Sequence, residues 1–156
     1  GDGIPPHSVW AIVLGGTNAN VAQALWESKA AGINTHGSTT VSVTDTQGNA
    51  HSVKFTRPSV MTVWLEIDLV KDDVTYAGDT AVEDALIAFA LANYTPGVDV
   101  VLSRLVAAIF DVQGVLDVIE IRAGFAVSPV GTVNLAIDKD ELAEVTAARI
   151  LVDSTF

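Results

Sequence analysis

Hydrophobic and polar positions along this chain switch between two periods, and the switches mark out its elements. Residues 9–14 are apolar throughout, with Trp10, Ile12 and Leu14 alternating with Val9, Ala11 and Val13, as in a strand covered on both faces. Gly15-Gly16 breaks that run. A helical period follows, with Val21, Leu25 and Ser28 on one face and Ala22, Trp26 and Lys29 on the adjoining one. Asn18 or Asn20 is placed to cap its start, and Gly32 lies where a left-handed C-cap belongs. Two alternating runs, 39–44 and 51–57, are joined by Asp45-Thr46-Gln47-Gly48-Asn49, a hairpin signal in which Gly48 or Asn49 takes positive φ. Val41, Val43, Val53 and Phe55 share the apolar face of this hairpin, and Ser42, Lys54 and Thr56 face water.

Beyond Pro58 the period-2 pattern lengthens. Met61, Val63, Leu65, Ile67 and Leu69 form one face of a long strand, and Thr62, Trp64, Glu66 and Asp68 the other. Thr80 and Glu83 read as a capping box opening a helix whose buried stripe is Val82, Ala85, Leu86, Phe89 and Ala90. A second helix is predicted from near Asp99 to Phe110 or Val112. Its apolar set (Val101, Leu102, Leu105, Val106, Ile109, Phe110) covers more than half the circumference and calls for packing on two sides. Strand patterns return at 115–122, where Val115, Asp117, Ile119 and Ile121 alternate with Leu116, Val118, Glu120 and Arg122. Further strands are expected at 132–137 and 149–154, separated by a capped helical turn at Asp138-Lys139-Asp140-Glu141.

Helices grouped between strands, with hairpins at both ends, predict an α+β fold rather than a doubly wound sheet. Pro58 is the best internal boundary, giving a strand–helix–hairpin module at 1–58 and a mixed sheet packed with two helices at 59–156. Each is expected to have its own core: Leu14, Leu25, Val41, Val43, Val53 and Phe55 in the first, and Leu65, Ile67, Leu86, Phe89, Leu105 and Ile109 in the second.

Composition narrows the function classes. Asp and Glu outnumber Lys and Arg by 19 to 8, a formal charge of −11, which repels phosphate backbones and anionic lipid and so disfavours nucleic-acid and membrane-surface partners. The absence of cysteine excludes disulfides, thiolate metal sites and cysteine nucleophiles, and suits a reducing cytoplasm. Charges interrupt every apolar run well before the ~18 residues of a membrane span. The first residues lack the basic start and apolar stretch of a signal peptide, and the turn-like opening without Met reads as the C-terminal part of a longer protein.

Candidate chemistry is sparse. Gly15-Gly16-Thr17-Asn18, between strand and helix, suggests an anion cradle, but it matches neither the dinucleotide fingerprint nor the Walker motif and reads as a structural turn. His7, His36 and His51 have no metal-ligand spacing, so no metal or cofactor is expected. The acidic groups Asp72-Asp73, Glu83-Asp84 and Asp138, Asp140 with Glu141 read as a solvated loop, a helix first turn and a helix cap. The 45–49 segment is superficially like a calcium loop but lacks the distal Glu of an EF-hand. Ser8, Ser28, Ser103 and Ser128 lie in no G-x-S-x-G setting. No catalytic residue is proposed. Trp64 stands out as an interface candidate, because the alternation puts an indole on a polar strand face. Such a ring is covered either by another part of the chain or by a partner.

One ordered set of residues goes further. Ile4-Pro5-Pro6-His7-Ser8-Val9, Gly15-Gly16, Trp26-Glu27-Ser28-Lys29 and Ala31-Gly32-Ile33 are followed by Thr35, Gly37 and Val41-Ser42-Val43-Thr44-Asp45. Then come Gln47-Gly48-Asn49, His51 and Phe55-Thr56-Arg57-Pro58. This order resembles the phage baseplate J-like protein family. The resemblance is dense over residues 3–58. Beyond them it rests on Leu102-Ser103-Arg104-Leu105, Gly114-Val115 and Ala148-Arg149-Ile150. It implies a non-enzymatic wedge subunit of a contractile-tail baseplate, of phage or prophage origin. Such a subunit joins copies of itself and neighbouring wedge proteins in a ring, and is assembled in the bacterial host cytoplasm into the virion tail. Rivals from other classes are a small-ligand or nucleotide-binding enzyme domain built on the Gly15-Gly16 turn, and a host-glycan-binding module using exposed aromatics such as Trp64.

Overall fold

The computed structural model describes residues 3–155. Among these residues three helices and nine strands in mixed sheets make an α+β fold. The chain divides into two compact units, Gly1–Ser59 and Val60–Phe156.

In the first unit, β1 (Ser8–Trp10) leads through α1 (Asn18–Ser28) to β2 (Asn34–His36), which pairs parallel to β1. This strand–helix–strand crossover precedes the expected hairpin, β3 (Thr39–Thr44) and β4 (Ala50–Phe55), antiparallel with Val41 opposite Val53. Gly48 takes the positive φ in its loop. Ala22, Val43, Val53 and Phe55 form the core, with Val41, Leu25 and Trp26 packed at its edge.

Several expectations give way here. The apolar run at 9–14 is not covered on both faces: Val9 and Leu14 are exposed, Leu14 at 59%. The regular strand stops at Trp10 and continues only as a single bridge between Ile12 and Thr56. Thr56 is buried rather than facing water, because its hydroxyl accepts from Trp10 Nε1 (2.7 Å) and from the Ser38 amide (3.3 Å). Neither Asn18 nor Asn20 caps α1. The cap is Thr17, whose hydroxyl accepts from the Asn20 amide at 3.2 Å. The helix ends at Ser28 with Lys29 as its C-cap, and Gly32 takes its positive φ in the turn beyond.

In the second unit β5 (Ser59–Thr62) pairs with β8 (Glu141–Glu144). The main sheet has the order β7-β6-β9, with β6 (Trp64–Lys71) antiparallel to β7 (Val115–Gly124) and parallel to β9 (Ile150–Thr155). Helices α2 (Asp79–Asn93) and α3 (Leu102–Phe110) supply Val82, Leu86, Ala90, Leu105 and Ile109 to a core completed by Val63, Leu65, Ile67 and Leu69. Phe89 packs against it, half-buried. Complete burial stabilises each large aliphatic side chain by ~1.5–3 kcal/mol. Among the described residues no helix is long and apolar enough to cross a membrane.

The simple patterns fail at five places in this unit. Thr80 and Glu83 form no capping box, because α2 begins one residue before Thr80, after Gly78 with φ 102° and without a side-chain cap. This also puts Glu83 and Asp84 beyond the first turn. Helix α3 starts at Leu102 because Val100 is held in a bridge to Leu135; the Leu102 amide donates to Asn134 Oδ1 at 3.0 Å. Residues 132–137 make no strand, only that bridge, while Gly131 bridges Ala123. At 138–141 the chain turns, with Glu141 Oε2 accepting from the Asp138 amide (3.0 Å), and Glu141 opens β8 instead of a helical turn. In β7 a register shift between Asp68 and Leu69 leaves Ile119 without a partner, so Val118 rather than Ile119 packs on the core and Ile119 is 61% exposed.

Candidate functional site

Trp64 opens β6 on the face shared with Glu66 and Asp68, the positions that alternate away from Leu65 and Ile67. Its register partner on β7 is Gly124, which leaves room for the chain to fold back there. A Cβ on Gly124 would lie 3.1 Å from Pro129 Cβ, so only glycine lets the loop after β7 approach without displacing it. On the other side the short 3-10 turn Ala147–Arg149 brings the Arg149 guanidinium over the indole, 5.7 Å from its centroid. Arg149 also lies 3.8 Å from Glu144.

The result is an open cleft of about 250 Å³ walled by Trp64, Val127, Pro129 and Leu151, with Glu66 and Arg149 at its rim. Trp64 is half-buried, covered in part by its own chain, while Val127 and Leu151 are more than half exposed. The loop beyond continues this apolar surface, since Phe125, Val130 and Val133 are also exposed. The apolar walls of the cleft suit an apolar side chain or a flat ring.

Beside it Arg122 organises the sheet face. Its guanidinium donates to both oxygens of Asp68 (3.0 and 3.1 Å) and to Glu120, and lies 3.3 Å from Glu66. These bonds, with Asp68 the largest influence, raise its pKa above the ordinary arginine value. A lone cation at a position alternating with Glu120, opposite a strand reading Glu66-Ile67-Asp68, is the sequence signal for this cluster.

The other candidates take structural roles. The Gly15-Gly16 turn presents carbonyl oxygens to a guanidinium: Arg57 donates to Val13 O (3.0 Å), Gly15 O, Gly16 O (2.8 Å) and Asn18 Oδ1 (3.0 Å). An anion cradle needs amide N–H groups facing the ligand instead. In the hairpin loop Asp45 Oδ1 accepts from the amides of Gln47 (2.9 Å) and Asn49 (2.8 Å), and Oδ2 lies 2.8 Å from His51 Nε2. The His51 hydrogen bond first, then that of the Asn49 amide, holds the Asp45 pKa well below the usual carboxylate range. His51 stacks on Trp26, ring centroids 4.1 Å apart, and Lys29 Nζ sits 4.5 Å from the Trp26 centroid.

The three histidines do not share a site. His36 meets Trp10 edge-on, His51 belongs to the hairpin loop, and the His7 carbonyl accepts from the Asn34 amide. Among the described residues no three His, Cys, Asp or Glu side chains gather as metal ligands do. Asp72 caps its own turn, accepting from the amides of Val74 and Thr75, which lowers its pKa. No family model matches this chain, and no curated protein matches it either.

Proposed function

We propose that this chain is a non-enzymatic structural subunit of a phage or prophage contractile-tail baseplate, working through protein–protein interfaces in a wedge or ring assembly. The observation that carries this reading is the ordered set of residues at 3–58 that resembles the baseplate J-like family. The places those residues occupy support it. Arg57 ties down the Gly15-Gly16 turn. Thr35 accepts from the Lys54 amide (2.7 Å), and Asp45, Asn49 and His51 lock the hairpin loop. Gly37 lies against the Phe55 backbone, where a Cβ would come within 2.2 Å of its carbonyl carbon. The shared residues therefore specify the shape of a module rather than a reacting centre. That suits a component whose task is to hold its form while it contacts its neighbours. The cleft at Trp64 offers such a contact a place for an aromatic anchor, with an apolar centre and a polar rim.

The test is co-expression with the products of the adjacent genes, followed by mass measurement and electron microscopy of what co-purifies. Rings or wedges containing this chain, with sheath and tube genes alongside its own, are the expected result. A chain that stays monomeric among unrelated genes, and whose melting temperature rises with a nucleotide or a glycan, would sink the reading in favour of a ligand-binding domain.

A further inference from the structure

The sheet β7-β6-β9 has one face in the core and one toward solvent. Leu65, Ile67, Ile121, Ala123 and Ile150 point into the core. On the opposite face the register places Arg122, Glu66 and Leu151 in one row across the strands, and Glu120, Asp68 and Asp153 in the next. Trp64 lies one row further on, at the apolar end. Four carboxylates thus share this face with two guanidiniums, Arg122 within these rows and Arg149 over Trp64 at its apolar end. Arg122 bonds to Glu66, Asp68 and Glu120. Asp153 is exposed and sits directly beside Asp68, an arrangement of like charges that repel across paired strands.

We propose that this face is the docking site for a basic amphipathic helix of another protein, whose apolar side chains enter the cleft between Trp64 and Leu151 and whose lysine or arginine lies over Asp68 and Asp153. A sheet face is ordinarily covered by a second layer, and a helix with one apolar stripe is the simplest cover. The spacing fits. Four steps of strand carry the chain ~13 Å from Trp64 to Asp68, and the seven steps from i to i+7 of a helix cover ~10.5 Å at ~1.5 Å each, a difference that a lysine or arginine side chain spans. An apolar residue at i and a basic one at i+7 stand on one face of such a helix.

Charge identifies the partner as a different chain. Neither α1 nor α2 contains a lysine or arginine, and Arg104 of α3 has only Gly97 and Asp111 seven residues away, both outside the helix, so no helix of a second copy pairs an apolar residue with a basic one at this spacing. Copies each carrying a formal −11 also repel one another. The inference adds the partner's chemistry to the interface reading of Trp64, but it is tested without the baseplate. Peptide binding without ring assembly would keep it, and ring assembly without peptide binding would remove it.

The probe is a synthetic leucine–lysine peptide patterned as an amphipathic helix, titrated into the full chain and followed by NMR and calorimetry. The same peptide with glutamate for lysine is the control. Shifts at the Trp64 indole N–H, Leu151 and Asp153 are expected with the lysine peptide and not with the glutamate one, and binding should weaken with salt. Asp153→Lys should weaken binding about fivefold or more, whereas Asp84→Lys, the same charge change on the exposed side of α2, should leave it within about twofold. No binding, or equal losses in both variants, would overturn the proposal, the latter as diffuse attraction to an acidic surface. Self-association of the chain that Asp153→Lys abolishes would overturn it in favour of a second copy.

Discussion

The two units of this chain reach a fixed shape by different means. In the second, eighteen buried hydrophobic side chains form one continuous cluster around β6, with α3 against β7 and α2 against β9. In the first, four buried side chains form the core, and polar bonds between distant residues surround them. Arg57 spans from the end of the hairpin to the Gly15-Gly16 turn, Thr56 joins Trp10 to Ser38, and Asp45 gathers its loop with His51. A small unit buries too little apolar surface to rely on it alone, so directional bonds carry a larger share of its specification. Such a unit is defined by particular residues at particular positions. An apolar core tolerates exchange of one aliphatic for another, so the second unit depends less on the identity of any one side chain.

The sharpest test of that contrast is a cavity in the larger core. Leu105→Ala should cost the second unit about 3–4 kcal/mol, because Leu105 is fully buried in that core. Hydrogen exchange at Ile67 and Leu69 would accelerate while amides of β3 and β4 keep their protection. Equal loss of protection in both units would show a single cooperative body and break the comparison.

In the first unit the corresponding change is polar. Arg57→Ala should cost about 2 kcal/mol, since it strips charged donors from the carbonyls of Val13, Gly15 and Gly16 and from Asn18. Val41→Ala, at the edge of the four-residue core, should cost only about 1 kcal/mol. Denaturant unfolding read from the β3 and β4 amides would measure both. A larger loss for the valine would mean that apolar packing governs this unit as it does the other.

How far each unit is legible in sequence follows from the same physics. Strand β6 and the stripe of α2 are plain because their signals are local periodicities that burial enforces: Leu65, Ile67 and Leu69, then Val82, Leu86 and Ala90. The hairpin is plain because its loop chemistry is local as well. What escapes is set by distant partners. Val100 is drawn out of α3 by Leu135, the stretch after Gly131 is held by isolated bridges and by bonds through the Asn134 and Asp99 side chains rather than by a strand ladder, and the bulge at Ile119 exists only in register with β6. The cap of α1 falls to Thr17 rather than its asparagine neighbours, a one-residue choice that spacing does not decide. For the site, alternation singled out Trp64, but its cover comes from Pro129 and Arg149, more than sixty residues away along the chain. Arg57 likewise gains its role from distant partners that no local pattern reveals, whereas the alternation of Arg122 with Glu120 does point to its cluster.

Acid should also separate the units. Asp45 has a lowered folded pKa, so its contribution is present above its ordinary value of 3.8 and is lost as pH falls below that value toward the folded one. Asp45→Asn should therefore lower the stability of the first unit near neutral pH and flatten its loss between about pH 4 and pH 2. Hydrogen exchange or NMR of the β3 and β4 amides across that range checks the slope. An unchanged slope would place the acid response outside the hairpin loop and remove one of the polar bonds on which the contrast rests.

The smallest effect is expected where the larger core departs from its own rule. Tyr94, at the C-cap of α2, is 8% exposed, and its hydroxyl oxygen has no hydrogen-bond partner among the described residues. Its ring packs edge-on against Phe89, centroids 6.0 Å apart, so the aromatic part is well placed and only the oxygen is costly. Burial raises the phenol to about 12, against a smaller lowering by Arg104. Because the folded pKa is raised, the neutral phenol's contribution is fully present below the ordinary value of 10.0 and is lost as pH climbs toward 12. Tyr94→Phe keeps the ring, removes the orphan oxygen and should stabilise the second unit by about 0.5–1 kcal/mol at neutral pH. It should also remove the part of the alkaline decline due to this group, which urea unfolding at pH 7 and in the alkaline range would show. A loss of about 1 kcal/mol or more at neutral pH would mean the hydroxyl is bonded after all, through a buried water. The second unit would then depend on a polar bond as the first does, and the contrast between them would narrow to one of core size.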